Sequence, residues 1–251
     1  MHRHVEVDLG RLTAMFLMAI FHLTFDLMYF YGWQIDMEQF GWRMLQRVTV
    51  SLFLLIVGMS AVLMRQSILT RSRSDDSGIV AAGVWRKFLR RFITIGCAAL
   101  LISAVTYIID PQTFIRFGVL HCIAVSMLML PFVLPLGLWN AVLGMAILLL
   151  PYWIGTSAPD TELLLPLGLV PAGFSTLDFV PLFPWLGVIL IGGALGHALY
   201  VMEWMPKWKR VPRWLERTSV LGRYSLSFYL IHQPILLLIL FLILGFPSAN
   251  I

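Results

Sequence analysis

The sequence predicts an all-α, polytopic membrane bundle of about seven helices, with its N-terminus cytoplasmic and its C-terminus outside. Three observations predict it: an excess of apolar residues, a scarcity of charge, and basic residues gathered into a few short stretches. Of the 251 residues, 59% are hydrophobic and 12% charged, and the mean hydropathy is +0.86. An ordinary soluble domain carries about 25% charge, so most of this chain is composed to meet lipid. A helix needs roughly 20 apolar residues to cross the hydrocarbon. Residues 11–31, 48–69, 92–109, 117–136, 137–156, 181–201 and 222–246 satisfy that length and character. The fourth and fifth are joined by Leu134-Pro135-Leu136-Gly137, a tight turn between antiparallel helices. These runs consume nearly the whole chain, so a single membrane domain over 1–251 without a soluble appendage is expected.

Orientation follows from the cations. Residues 65–91 carry Arg65, Arg71, Arg73, Arg86, Lys87, Arg90 and Arg91, and residues 207–223 carry Lys207, Lys209, Arg210, Arg213, Arg217 and Arg223. With seven spans both stretches fall on the side of Arg3 and Arg11, and of the 18 Lys and Arg only Arg43, Arg47 and Arg116 fall on the other. Cytoplasmic loops are enriched in Lys and Arg, which places that first side in the cytoplasm. One span more or fewer would scramble the agreement. The net charge of +5 is therefore a topology signal and does not call for a nucleic-acid partner. The N-terminus lacks the short apolar region and small-residue cleavage site of a removable signal peptide, so the first run is read as a retained helix. Cys97 and Cys122 both lie inside spans, which gives neither a disulfide framework nor zinc spacing.

Three pieces lie between spans. Residues 33–47 read as a short amphipathic helix on the outer surface. Residues 70–85 read as a mobile cytoplasmic linker. Residues 157–180 contain no Lys or Arg, carry Asp160, Glu162 and Asp178, and alternate Leu with Pro and Gly. So apolar a segment is expected to fold back on the bundle as a lid or re-entrant piece, because irregular backbone is not tolerated against lipid.

Ionisable groups at membrane depth cost several kcal/mol and face a cavity or a partner. His22 and Asp26 are four apart in the first span, on one helical face and about 6 Å apart along the axis. A carboxylate beside an imidazole suits a general base; the bland alternative is a polar pair that glues helices. His121 follows Arg116 by five residues in the fourth span, as a catalytic group or a hydrogen-bonded packing histidine. Arg47 opens the second span before Ser51, either snorkelling to the surface or holding an anionic group. Asp178 precedes Pro181-Leu182-Phe183-Pro184-Trp185, as a ligand or as an N-cap of the sixth span. His232 sits near the middle of the seventh span, two residues before Pro234, which frees the carbonyl of Leu230 and kinks the helix. Gly192, Gly193 and Gly196 with Ala194 form a small-residue face that favours close helix packing. No P-loop, GxGxxG, HExxH or GxSxG motif occurs, and the histidines do not show metal-ligand spacing, so no metal is expected.

Several blocks resemble bacterial members of the heparan-alpha-glucosaminide N-acetyltransferase catalytic-domain family. They are Asp8 with Arg11; His22-Leu-Thr-Phe-Asp26; Arg47 with Ser51 and Gly58-Met-Ser60; Phe117-Gly118-Val-Leu-His121; Asp178-Phe-Val-Pro181-Leu-Phe-Pro184-Trp185; and Gly222-Arg223-Tyr-Ser225 through Tyr229-Leu-Ile-His232-Gln233-Pro234. They occur in family order over most of the chain. Leu12 stands where the family opening has glycine. Tyr31-Gly32-Trp33 occupies the place of the eukaryotic catalytic histidine, and His22 stands roughly where those members have an asparagine. The resemblance implies a membrane acyltransferase that takes an acetyl group from cytoplasmic acetyl-CoA to an acceptor outside, an amino sugar or another glycan, hydroxyl or amine.

On that footing His22, oriented by Asp26, is expected to act as general base, with His121 or His232 supporting the oxyanion. Arg90, Arg91, Lys209, Arg210 and Arg223 offer a positive field to the CoA phosphates, and Arg47, Ser51, Arg116 and Asp178 are candidates to hold the acceptor. The expected partners are the bilayer, acyl-CoA and an extracytoplasmic acceptor, with a homo-oligomer open, in a bacterial inner membrane. The alternatives are a proton-coupled transporter without acyl chemistry, and a scaffold in which the polar pairs only lock helices.

Overall fold

The computed structural model describes residues 4–71, 77–154, 161–204 and 212–246. Its helices are α1 (Val5–Tyr31), α2 (Phe40–Leu69), α3 (Ser77–Ile109), α4 (Val119–Val133), α5 (Trp139–Ile154), α6 (Leu182–Gly196), α7 (Arg213–Ser219) and α8 (Ser225–Leu244). The described residues form no sheet; their one strand-like pairing is an isolated parallel bridge between Phe117 and Phe179. Among the described residues six helical stretches are long and apolar enough to cross a membrane, and α5 is a shorter apolar helix. The protein is an integral membrane protein. Its outer surface agrees: Leu100, Ile108, Phe132 and Leu242 are each at least 66% exposed, which only lipid would cover favourably.

The C-terminal ends of the helices match the apolar runs closely, whereas several starts do not. At 1.5 Å per residue, α2 and α3 are about 45 and 50 Å long, well beyond the roughly 30 Å of hydrocarbon. Their polar beginnings extend the helices past the membrane. Residues 40–47 are thus the first turns of α2, not a separate surface helix, and residues 77–85 belong to α3 instead of a linker. Arg90 and Arg91 stand exposed on α3 itself. Hydropathy marks where lipid begins; hydrogen bonding along the backbone carries on past it.

The chain divides into two compact units. The first comprises residues 1–53 and 208–251. In it α1 packs on α7, on α8 and on the 3-10 turn Val220–Tyr224 that joins them. Gly222 is required there, because a Cβ would come within 2.8 Å of the Asp8 carbonyl carbon. Beside it Asp8 receives Arg11 at 3.1 Å and Arg223 at 3.6 Å. At the opposite end α1 closes on Gly32, whose φ of 65° lets it cap the Leu27 and Met28 carbonyls, and the Tyr31 hydroxyl donates to the Gly245 carbonyl at 2.9 Å. Starts meet and ends meet, so α1 and α8 run in the same direction.

The second unit, residues 54–207, is assembled on glycines. A Cβ at Gly144 of α5 would stand 2.6 Å from the Gly187 carbonyl oxygen of α6, and one at Gly187 would stand 2.5 Å from that of Gly144. On another side of α6, Gly192 lies against Leu55 and Gly196 against Met59, with Cβ-to-Cα distances of 2.7 and 2.9 Å. The small-residue face of the sixth span is consumed by α2. Residues 161–180 fold over the loop 110–118: Leu177 N–H donates to the Thr113 carbonyl at 2.8 Å, Val180 N–H to Phe117 at 3.0 Å, and Thr176 Oγ1 to Phe114 at 2.8 Å. The segment is a docked lid, tied down by backbone hydrogen bonds.

Candidate active site

The first unit gathers four polar side chains at membrane depth: His22 and Asp26 from α1, His232 and Gln233 from α8. The ring centroids of His22 and His232 lie 4.9 Å apart, nearly perpendicular. Asp26 is fully buried and His232 is 6% exposed. Gln233 donates through Nε2 to Asp26 Oδ1 at 2.6 Å. Three buried polar atoms in this group have no protein partner: Asp26 Oδ2, His232 Nε2 and Gln233 Oε1. Buried polar groups are paired in the great majority of cases, and an orphan at this depth marks a place made for a polar ligand or water.

Backbone carbonyls set the tautomers. His22 Nδ1 lies 2.9 Å from the Met18 carbonyl, and His232 Nδ1 lies 2.8 Å from the Tyr229 and 3.2 Å from the Phe228 carbonyl. A carbonyl oxygen only accepts, so each Nδ1 carries the proton and, in the neutral ring, each Nε2 is a lone pair. Neutral His232 thus offers a second acceptor, and it donates to an oxyanion only as an imidazolium. Orientation of His22 by Asp26 is corrected as well: Met18 meets the ring, one helical turn back, and Asp26 is turned to Gln233. Gln233 joins the site as a residue to which the sequence alone assigns no role. An amide at membrane depth directly before Pro234 was the available signal.

His121 and Asp178 occupy a different setting, within the second unit. The His121 ring is engaged on both nitrogens: Gly118 N–H donates to Nδ1 at 3.3 Å, and Nε2 lies 3.3 Å from Ser103 Oγ, whose hydroxyl donates to the Ile115 carbonyl at 2.5 Å. Asp178 accepts from Val119 N–H at 3.0 Å, which makes it the cap of α4 across the lid interface and not of the helix that follows it in sequence. Burial pushes its carboxyl up to about 6, against the pull of the Val119 N–H. Gly118 is packed directly on this carboxylate. Arg116 lies over the Phe114 ring at 4.3 Å and donates to Glu162 at 3.1 Å, to the Ser175 carbonyl at 3.2 Å and to the Gln112 carbonyl at 3.3 Å. Loop and lid are thus held by a guanidinium whose donors are almost all in use.

Arg47 is exposed near the start of α2, and Ser51 follows one turn on. Arg223, assigned from sequence to the CoA phosphates, is half-exposed and paired with Asp8. Lys209 and Arg210 lie outside the described residues. No group of three or more metal-ligating side chains occurs among the described residues.

The motifs that meet around α1 and α8, Asp8 with Arg11 on one side and Gly222-Arg223 through Pro234 on the other, are the two ends of a family pattern. The model of the heparan-alpha-glucosaminide N-acetyltransferase catalytic family matches residues 3–234. The chain belongs to that family. No curated protein and no solved structure matches it. As a member of a family of transmembrane acyltransferases, it brings the His22–His232 cluster to the middle of two parallel helices that carry the first and last blocks of the family's pattern.

Proposed function

We propose that the protein is a transmembrane acetyltransferase that moves an acetyl group from cytoplasmic acetyl-CoA to an extracytoplasmic acceptor, an amino sugar or another glycan, hydroxyl or amine. The observation that carries this reading is the pair of imidazoles with carbonyl-fixed tautomers, facing orphaned polar atoms where lipid offers no partner. With the two rings 4.9 Å apart, one imidazole remains a base while the other becomes a donor. His22 Nε2 takes the proton of the attacking amine or hydroxyl as the new bond to the thioester carbonyl forms. Protonated His232 supports the oxyanion, the C–S bond breaks, and the thiolate leaves with a proton from the cluster. Such acid–base assistance is worth typically 10²–10⁴-fold. Arg90 and Arg91, exposed on the projecting part of α3, supply the field for the CoA phosphates. The membrane is the inner membrane of a bacterium.

The test uses purified protein in detergent with radiolabelled acetyl-CoA and D-glucosamine as the probe acceptor. Wild type should bind acetyl-CoA saturably and acetylate the sugar. His22→Ala should lower turnover at least about 100-fold while acetyl-CoA binding and the melting temperature hold. Gln233→Leu, which removes the amide that donates to Asp26, should lower turnover by a smaller factor. Full activity in His22→Ala would overturn the assignment. A folded wild type that binds no acetyl-CoA, yet moves protons in liposomes, would replace it with the carrier reading.

A further inference from the structure

Helix α3 is sorted by side. Val84, Phe88, Ile95 and Ala99 are buried along one face, while Ile93, Cys97, Leu100 and Ile108 are exposed along the opposite one, where acyl chains cover them. Arg86 and Arg90 continue that exposed stripe, because positions 86, 90, 93, 97, 100, 104 and 108 recur at helical spacing. Both arginines are themselves exposed. The rise from Arg90 to Ile109, where α3 ends, is about 29 Å at 1.5 Å per residue, close to the roughly 30 Å of hydrocarbon. Arg90 therefore stands at the edge of the hydrocarbon and Arg86 one turn further out, at the depth of lipid phosphates. Lys87 and Arg91 belong to another side of the helix. Lys87 Nζ reaches Ser67 Oγ of α2 at 3.5 Å, and Arg91 follows it by one turn.

No carboxylate in the surrounding helices answers Arg86 and Arg90: α2, α3, α4 and α5 contain neither Asp nor Glu. Trp85, next to Arg86 around the helix, has its ring 5.5 Å from that of Phe132 on α4. Both rings are exposed, Phe132 at 71%, as aromatic anchors at the membrane interface are. We propose that Arg86 and Arg90, with Trp85 and Phe132 beside them, hold the phosphate of an anionic phospholipid on the cytoplasmic side of the membrane. A guanidinium meets phosphate through two parallel N–H donors, the cytoplasmic leaflet is the anionic one, and the stripe from Ile93 to Ile108 carries the acyl chains of the same lipid. Arg90 still adds its charge to the field drawn on for acetyl-CoA. A soluble ligand, however, would have to reach Arg86 and Arg90 through the headgroups, on the face turned away from the packed side of α3. The inference does not depend on acyl transfer.

The experiment puts its reporter on the stripe itself. Cys97, two turns from Arg90 on the same face, is labelled with bimane in a Cys122→Ala background, and the protein is reconstituted in phosphatidylcholine vesicles. Phosphatidylglycerol or phosphatidylcholine with brominated chains is then titrated in, and bromine quenches bimane on contact. Half-maximal quenching should need at least about fivefold less brominated phosphatidylglycerol than brominated phosphatidylcholine, the scale of one basic residue at a membrane surface. Arg86→Gln/Arg90→Gln should bring the two curves together. Lys87→Gln/Arg91→Gln should leave them apart, and excess acetyl-CoA should not move them. Coincident curves in the protein with all four cations would overturn the proposal without recourse to any of these variants. So would a preference that survives Arg86→Gln/Arg90→Gln, or one lost equally in Lys87→Gln/Arg91→Gln, which would reduce it to diffuse charge. Displacement of the phosphatidylglycerol by acetyl-CoA would overturn it too, and would hand the two arginines to the acyl donor.

Discussion

A histidine in a lipid-facing helix has to place its ring N–H somewhere, and the carbonyl one turn back is always within reach. His22 and His232 both take that route, through Met18 and through Phe228 and Tyr229, and the result is two Nε2 lone pairs pointing away from their own helices. His121 does the opposite, accepting at Nδ1 from Gly118 and leaving its N–H on Nε2 toward Ser103. The same side chain therefore leaves Nε2 as an acceptor in one setting and is hydrogen-bonded through both nitrogens in the other. Asp178 shows a comparable split between reading and role. Its carboxyl is raised to about 6 by burial, so the folded protein favours the protonated form. The stability this contributes is present in acid and is lost as pH rises from about 4 through about 6. Melting temperatures of wild type should accordingly fall across that window relative to Asp178→Asn, which keeps an acceptor for Val119 N–H but does not titrate. Parallel melting curves for the two proteins over pH 4 to 7 would remove the argument. That Asp178 mattered was legible in the sequence, as an acid beside a re-entering helix. Which helix it caps was not, because 59 residues separate it from Val119 and no local pattern encodes so distant a partner.

At the scale of the element, glycines decide which helices touch. Hydrophobic segments have no solvent-driven reason to associate inside a bilayer, so close packing of small residues does that work. Gly192 and Gly193 are sequence neighbours with opposite consequences. A Cβ on Gly192 would press into the Leu55 backbone, 2.7 Å from its Cα, whereas one on Gly193 meets a side-chain methyl of Leu134 at 3.2 Å. Gly192→Ala should therefore destabilise the protein by about 1–3 kcal/mol as overpacking, while Gly193→Ala should be neutral or slightly stabilising, since alanine is the better helix former by about 1 kcal/mol. Thermal denaturation in one detergent, run side by side, checks the pair; equal melting temperatures would mean that α2 can yield. The small-residue face was visible from spacing alone. Its partner was not, and the extended starts of α2 and α3 were hidden for a related reason: a helix continues wherever its backbone bonds can form, while hydropathy reports only the part that sits in lipid.

For the whole molecule the number of crossings turns on α5, because length alone counts six long helices among the described residues. Its 16 residues span about 24 Å, short of the full hydrocarbon thickness, yet Trp139 at one end and Tyr152 and Trp153 at the other are each at least 71% exposed, as interfacial aromatic anchors are. Two geometric facts argue that it crosses. In the second unit the loop before α4 and the lid after α5 are hydrogen-bonded to each other, so α4 and α5 together go over and return. In the first unit α1 and α8 run in the same direction, which an odd number of spans satisfies and six would not. Seven crossings also give the distribution of Lys and Arg that puts the starts of α1 and α8 in the cytoplasm. Single cysteines placed at Gln112, Ser175 and Glu216, in a background with Cys97 and Cys122 replaced by alanine, convert this into a measurement. A membrane-impermeant maleimide applied to intact cells should label positions 112 and 175 and should reach position 216 only after permeabilisation. If position 175 instead behaved like 216, α5 would not cross.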